Sequence, residues 1–162
     1  MVATAQGSRS GSAPTAYSLV ARQAQEVAVT VRFVAAFNVH SLSAALANFA
    51  PNASGSDCNY RRAQVVTFSG KRQISAWLRK RFADDDHLRI ARVLNENASQ
   101  PVGVLGVDWA LRTSRTLRRL GFARGIVPRL SAKVVFTRET PPRIRAFGNG
   151  PVGADPSLCR PK

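Results

Sequence analysis

The sequence predicts an α+β domain, and three observations carry that reading. Apolar residues recur at helical spacing through much of the first half, the period shifts to two after Asp86, and no segment repeats. Helices that precede a mostly antiparallel sheet and cover one of its faces make an α+β domain; a doubly wound one would alternate helix and strand. The 162 residues, 44% hydrophobic and 20% charged, suit one globular domain. A chain of this length buries roughly two thirds of its unfolded surface without help from disulfides or metals.

Residues 1–16 are rich in Ser, Gly, Ala and Thr without apolar periodicity and read as a flexible leader; 151–162 read as a tail, leaving 17–150 as the domain. Within 17–37, Val20, Ala24, Val27, Val31, Val34 and Phe37 recur at threes and fours, which puts them on the core face of a long helix. Ser41 is placed to cap a short second helix with Leu42, Ala45, Leu46 and Phe49, ended by Pro51. Residues 54–60 and 63–68 read as a hairpin, the second arm carrying the β-prone run Val65, Val66, Thr67, Phe68. Ser69 then caps a third helix, with Ile74, Trp77, Leu78, Arg81 and Phe82 at helical spacing before the acidic break at Asp84, Asp85 and Asp86. Residues 87–95, 102–113, 129–137 and 143–147 follow as four strands separated by Asn, Pro, Gly and Ser signals.

The net charge of +15 comes from 20 Arg and 4 Lys against nine carboxylates, a bias that favours solubility and non-specific attraction to polyanions. No apolar run approaches the ~18 residues that span a bilayer, and the first residues lack the basic start and apolar stretch of a signal peptide, so the cytoplasm is the expected compartment. Cys58 and Cys159 are too few and too far apart for paired zinc ligands. No metal or cofactor is expected. The sequence leaves the pairing of the two thiols open, a reducing cytoplasm favouring the free form.

The stretch FVAAFNVHSLSAALANFAPNASGSD, from Phe33 to Asp57, resembles the opening of the nuclear transport factor 2-like superfamily, which includes ketosteroid isomerases, SnoaL-like polyketide cyclases, limonene epoxide hydrolase and scytalone dehydratase. The matching phrases are the turn from Asn38 to His40, the Phe49-Ala50-Pro51 phrase and the strand that follows. Gly70, Lys71 and Ile74 open the third helix in the family manner, and VVFTRETPPRIRAF looks like its last two strands. The resemblance covers roughly residues 24–150. It implies a cone-shaped, curved, mostly antiparallel sheet packed on three helices from the N-terminal half, around an apolar pocket. It also implies a homodimer, since many members pair through the outer sheet surface.

By the same resemblance Asp57 matches the general base of the ketosteroid isomerases. A carboxylate among apolar walls loses solvation, which makes it a better proton acceptor near neutrality; the plainer reading is an Asp that caps a turn. The oxyanion tyrosine of those isomerases would fall at Phe33 and their second, protonated acid near Ala132, so both donors are missing. One such donor is worth about 3–4 kcal/mol of transition-state stabilisation, so a ketosteroid isomerase mechanism is not expected. A hydrolase using an Asp, Arg, Asp relay would need two inward acids. Strand parity puts Asp108 opposite to Leu105, Val107, Trp109 and Leu111, and Arg112 would join the pocket only if a bulge reversed that parity.

His40, in a turn, and His87, after three aspartates, read as solvated polar residues without a nucleophile partner. Phe33, Phe37, Tyr60, Trp77 and Trp109 are candidates to line the pocket, though aromatic residues at such spacing also serve as plain core. Segment 112–129 holds Arg112, Arg115, Arg118, Arg119, Arg124 and Arg129 with no acid among them. Arginine forks suit phosphates and carboxylates, while a solvated hairpin tip explains the same residues.

Two functional expectations follow. In the first, the chain is a SnoaL-like pocket protein that binds a small apolar molecule, or turns one over by cofactor-free proton transfer or hydration with Asp57 as base. In the second, it is a non-enzymatic interaction domain whose basic hairpin meets an anionic partner, such as nucleic acid or an anionic membrane.

Overall fold

The computed structural model describes residues 16–59, 64–95, 103–112 and 129–149. Its elements run α1 (Ala16–Asn38), α2 (Leu42–Leu46), β1 (Phe49–Asn59), β2 (Gln64–Ser69), α3 (Gly70–Ala83), β3 (His87–Asn95), β4 (Val104–Arg112), β5 (Arg129–Phe136) and β6 (Ile144–Asn149). The six strands form one sheet in the order β2-β1-β6-β5-β4-β3. Every neighbouring pair is antiparallel except β1 and β6, which run parallel. The expected hairpin and four-strand meander are both present, on an open mixed sheet with three helices.

Register breaks interrupt the ladder between Phe49 and Ser54, between Ile90 and Arg92, and between Val135 and Phe136. An extra residue on one strand bends it and sharpens its twist, so these breaks curve the sheet around the helices. The first break also accommodates Pro51, which has no N–H to give to a ladder. This region differs from the expectation: the second helix stops at Leu46, and Phe49 to Pro51 already belong to β1, because Phe49 pairs with Ile144 of the last strand.

The core lies between the helices and one face of the sheet. Phe33 and Phe37 of α1, Phe49 of β1, Ile74 and Leu78 of α3, Leu105 of β4, and Ala132, Val134 and Phe136 of β5 are all buried there. Phe33 meets the Phe49 ring edge-on at 5.3 Å and Phe37 meets Phe82 at 5.4 Å, the geometry favoured by the quadrupoles of aromatic rings. The expected stripe of α1 holds in its last turns, where Val34 and Phe37 are buried, and departs before them. Val20 is 66% and Val31 50% exposed, while Glu26, Val29, Thr30 and Phe33 face inward. Thr30 meets its own burial cost by donating Oγ1 to the Glu26 carbonyl at 3.0 Å. Ser41 and Ser69 occupy the N-cap positions of α2 and α3 but make no side-chain cap bond; the Ser69 amide instead donates to Gln73 Oε1 at 2.7 Å.

Candidate active site

Asp57 lies on β1 with its carboxylate turned to the helices, 3% exposed. Two residues earlier, on the same face, Gly55 leaves room for the ring of its cross-strand partner Phe68, which lies where a Cβ would stand. Phe68 then stacks on Trp77 of α3, with centroids 4.9 Å apart and planes at 17°. That stack aims the indole: Trp77 Nε1 donates to Asp57 Oδ2 at 2.7 Å. One helical turn further along the same face of α3, Arg81 brings Nε to 3.5 Å from Asp57 Oδ2 and to 2.8 Å from Asp86 Oδ2. Asp86, just past the end of α3, is 1% exposed. Two buried carboxylates thus flank one guanidinium, a row of acid, cation and acid that is formally one negative charge in a positively charged protein.

Sequence reasoning named Asp57 but took Asp86 as a loop residue and gave Arg81 no role. The signal for Arg81 was present, since it follows Trp77 by one helical turn. The signal for Asp86 was not, because three aspartates in a row read as a solvated break. The relay envisaged around Arg112 is not assembled by the strands: the inserted residue in that pair is Ala91 of β3, β4 continues without a break, and Arg112 keeps the register parity of Asp108.

Of the aromatic candidates, Phe33 and Phe37 are fully buried within the ring cluster, and Trp77 is half-buried beside Phe37 and Phe147. Trp109 pairs across β4 with Ile90 and Leu130. Tyr60, Arg115, Arg118, Arg119 and Arg124 lie outside the described residues, whereas Arg112 ends β4 and Arg129 begins β5. Both Phe33 and Ala132 are buried and neither has a group to donate to an oxyanion. A cavity of about 390 Å³ lies over Ser54, Ser56, Thr67, Lys133, Val135 and Ala146 and is lined also by Gln73 of α3. Phe68 and Phe147 also line it, so one aromatic layer stands between that cavity and Trp77.

No family model and no curated protein matches the sequence. Solved structures do. A cystatin-like protein of unknown function from Methylobium petroleophilum aligns with a TM-score of 0.59 at 18% identity, over 80% of this chain and 76% of that one. The epoxide hydrolase/cyclase-like enzyme SalBIII, which has a role in pyran ring formation in salinomycin, aligns with a TM-score of 0.56 at 13% identity, over 78% and 88%. A SnoaL-like protein of unknown function from Burkholderia thailandensis aligns with a TM-score of 0.55 at 18% identity, over 79% and 95%. Helix order, the hairpin, the meander and these likenesses together give the chain the nuclear transport factor 2-like fold, in its SnoaL-like form.

Proposed function

We propose that the chain is a SnoaL-like pocket protein that takes a small apolar molecule and catalyses cofactor-free proton transfer or hydration, with Asp57 as general base. The observation that carries this reading is the Asp57 carboxylate, buried on β1 and held at Oδ2 by the Trp77 indole and the Arg81 guanidinium. A general base must come within about 2.6–3.2 Å of the proton it removes, and the indole hydrogen already marks such a place on Oδ2. A substrate C–H or a water that displaces the indole meets the same oxygen. Arg81, tied to Asp86 through the same Nε, keeps the carboxylate in position while the proton arrives. The epoxide hydrolase/cyclase-like neighbour makes epoxides, alongside enolisable ketones, the first substrates to try.

The test is a melting-temperature screen with apolar ketones and epoxides, followed by turnover of the stabilising compounds. Asp57→Asn is expected to lower turnover by about 10²–10⁴-fold and still fold, because Arg81 keeps Asp86 as its partner. Undiminished turnover in that variant rejects Asp57 as the base. A complete absence of stabilising compounds rejects the pocket reading.

A further inference from the structure

We propose that His40, Asp85 and His87 form a binding site for a divalent first-row transition metal ion of the zinc and nickel class. One ligand atom from each of the three lies within 4.8 Å of the other two. The residues come from two places in the sequence: His40 follows the end of α1, while Asp85 and His87 lie in the short link from α3 to β3. The fold brings the two stretches together, and the site adjoins the Asp57 row through Asp86, whose carbonyl meets His40 while its carboxylate meets Arg81.

Both helices end in the same way. At the end of α1 the His40 amide donates to the Phe37 carbonyl and the Ser41 amide to the Ala36 carbonyl; at the end of α3 the Asp85 amide donates to Phe82 and the Asp86 amide to Arg81. This double bond pattern needs a left-handed residue just past the helix, a position that glycine usually fills. Here His40 (φ 53°) and Asp85 (φ 58°) fill it, the only non-glycine residues with positive φ among those described. A side chain there costs about 1–2 kcal/mol relative to an ordinary conformation. Both helix ends thus carry a metal-ligand type where glycine would be the easier choice, and the fold brings the two together.

The surroundings favour a cation. Two helix C-termini converge, each carrying roughly half a negative charge, and the Asp85 carboxylate adds to them within a chain that is otherwise strongly basic. The Asn38 side chain fixes the spacing by pairing with both backbone groups of Leu88, donating to its carbonyl and accepting from its amide, each at 2.8 Å. The imidazoles are oriented as well: His40 Nε2 lies 3.2 Å from the Asp86 carbonyl and His87 Nδ1 3.1 Å from the Asp85 carbonyl. In His40 a ring N–H given to the carbonyl leaves Nδ1 as the lone-pair donor, the arrangement usual behind metal-bound histidine; His87 Nδ1 also faces the Asp85 carboxylate, 3.8 Å from Oδ1, so that ring can offer either nitrogen. His40 is further stacked on Phe82 at 4.9 Å, and the two imidazole centroids are 5.1 Å apart.

Two imidazoles and one carboxylate suit zinc, nickel or copper and disfavour magnesium and calcium, which want oxygen ligands. Bonds of about 2.0 Å at tetrahedral angles bring ligand atoms to about 3.3 Å from one another. Rotation of the Asp85 side chain, 57% exposed, and of His87, 28% exposed, supplies that closure. Water or a ligand takes the remaining coordination positions.

Titration calorimetry and equilibrium dialysis of the full chain with Zn²⁺ and Ni²⁺, against Mg²⁺ as control, test the site. One ion per chain is expected, with Asp85→Asn, His87→Gln and His40→Asn each binding at least tenfold more weakly. Asn tolerates the left-handed backbone at positions 40 and 85, so these changes remove a ligand and spare the turns. Should His40→Asn fold poorly, Asp85→Asn, at an exposed side chain, and His87→Gln, at a partly exposed one, decide the matter. Zinc affinity unchanged in those two variants, which would place the ion on cysteine or a terminus, overturns the proposal. So does Mg²⁺ binding as tightly as zinc.

Discussion

Arg81 joins the two acids of the candidate site, since one guanidinium serves Asp57 and Asp86. A planar fork with five donors can face two carboxylates at once; an ammonium is a point charge that favours one. Removing a partner from a buried ion pair costs about 3–5 kcal/mol, because the remaining charges stay out of water. Arg81→Met, which keeps most of the apolar stem, is therefore expected to lose stability of that order, read as a lower urea midpoint with an unchanged slope. Arg81→Lys should fall between the two. Stability equal to the parent in Arg81→Met would mean that the row of charges is not an anchor of the fold.

At the scale of elements, the first strand shows how close approach sets sequence. Gly55 sits beneath the Phe68 ring, and an added Cβ would overlap ring atoms and come to 3.0 Å from the Phe147 carbonyl. Gly55→Ala is expected to cost about 1–3 kcal/mol, the usual result of overpacking, and to disturb the Phe68 stack that aims Trp77. Gly103→Ala, with nothing within 4 Å, should be near neutral. Gly70→Ala also meets open space but has φ +71°, so it should cost about 1–2 kcal/mol from backbone strain alone. Thermal melts of the three variants separate overlap, open space and strain; a neutral Gly55→Ala would deny the tight packing of β1 on β2. Elements are also where the sequence was least transparent. On α1 the apolar count places Val34 and Phe37 correctly but includes the exposed Val20 and Val31, because Glu26 and Thr30, polar yet buried, take inward positions that the count leaves out. Phe49 looked helical beside Ala45 and Leu46, but its parallel pairing with Ile144 claims it for the sheet.

For the molecule as a whole, local patterns sufficed for the helix-then-strand order, the hairpin and the meander, since each joins neighbours in sequence. The parallel contact of β1 with β6 joins residues from opposite halves, and no local period announces it. The same holds for the tie between α1 and the β5–β6 connection. Arg22 there donates Nη1 to the Glu139 carbonyl at 2.6 Å and Nη2 to the Thr137 carbonyl, while its Nε bonds Glu26 Oε1 at 2.9 Å. Glu26 is fully buried, and its Oε2 has no hydrogen-bond partner among the described residues. Burial raises its pKa above the ordinary 4.5, and the hydrogen bond and charge of Arg22 only partly pull it back. A carboxyl raised on folding binds its proton more tightly in the native state than in the unfolded chain. Its contribution to stability is therefore fully present below pH 4.5 and is lost as pH rises through the raised native value. Glu26→Gln keeps an acceptor for Arg22 and cannot ionise, so the variant should gain on the parent steadily as pH climbs from 4.5. Urea midpoints of both proteins over a pH series measure that difference directly and cancel the titration of every other group. Curves that stay parallel would show that Glu26 titrates alike in both states, and that Arg22 fully compensates its burial.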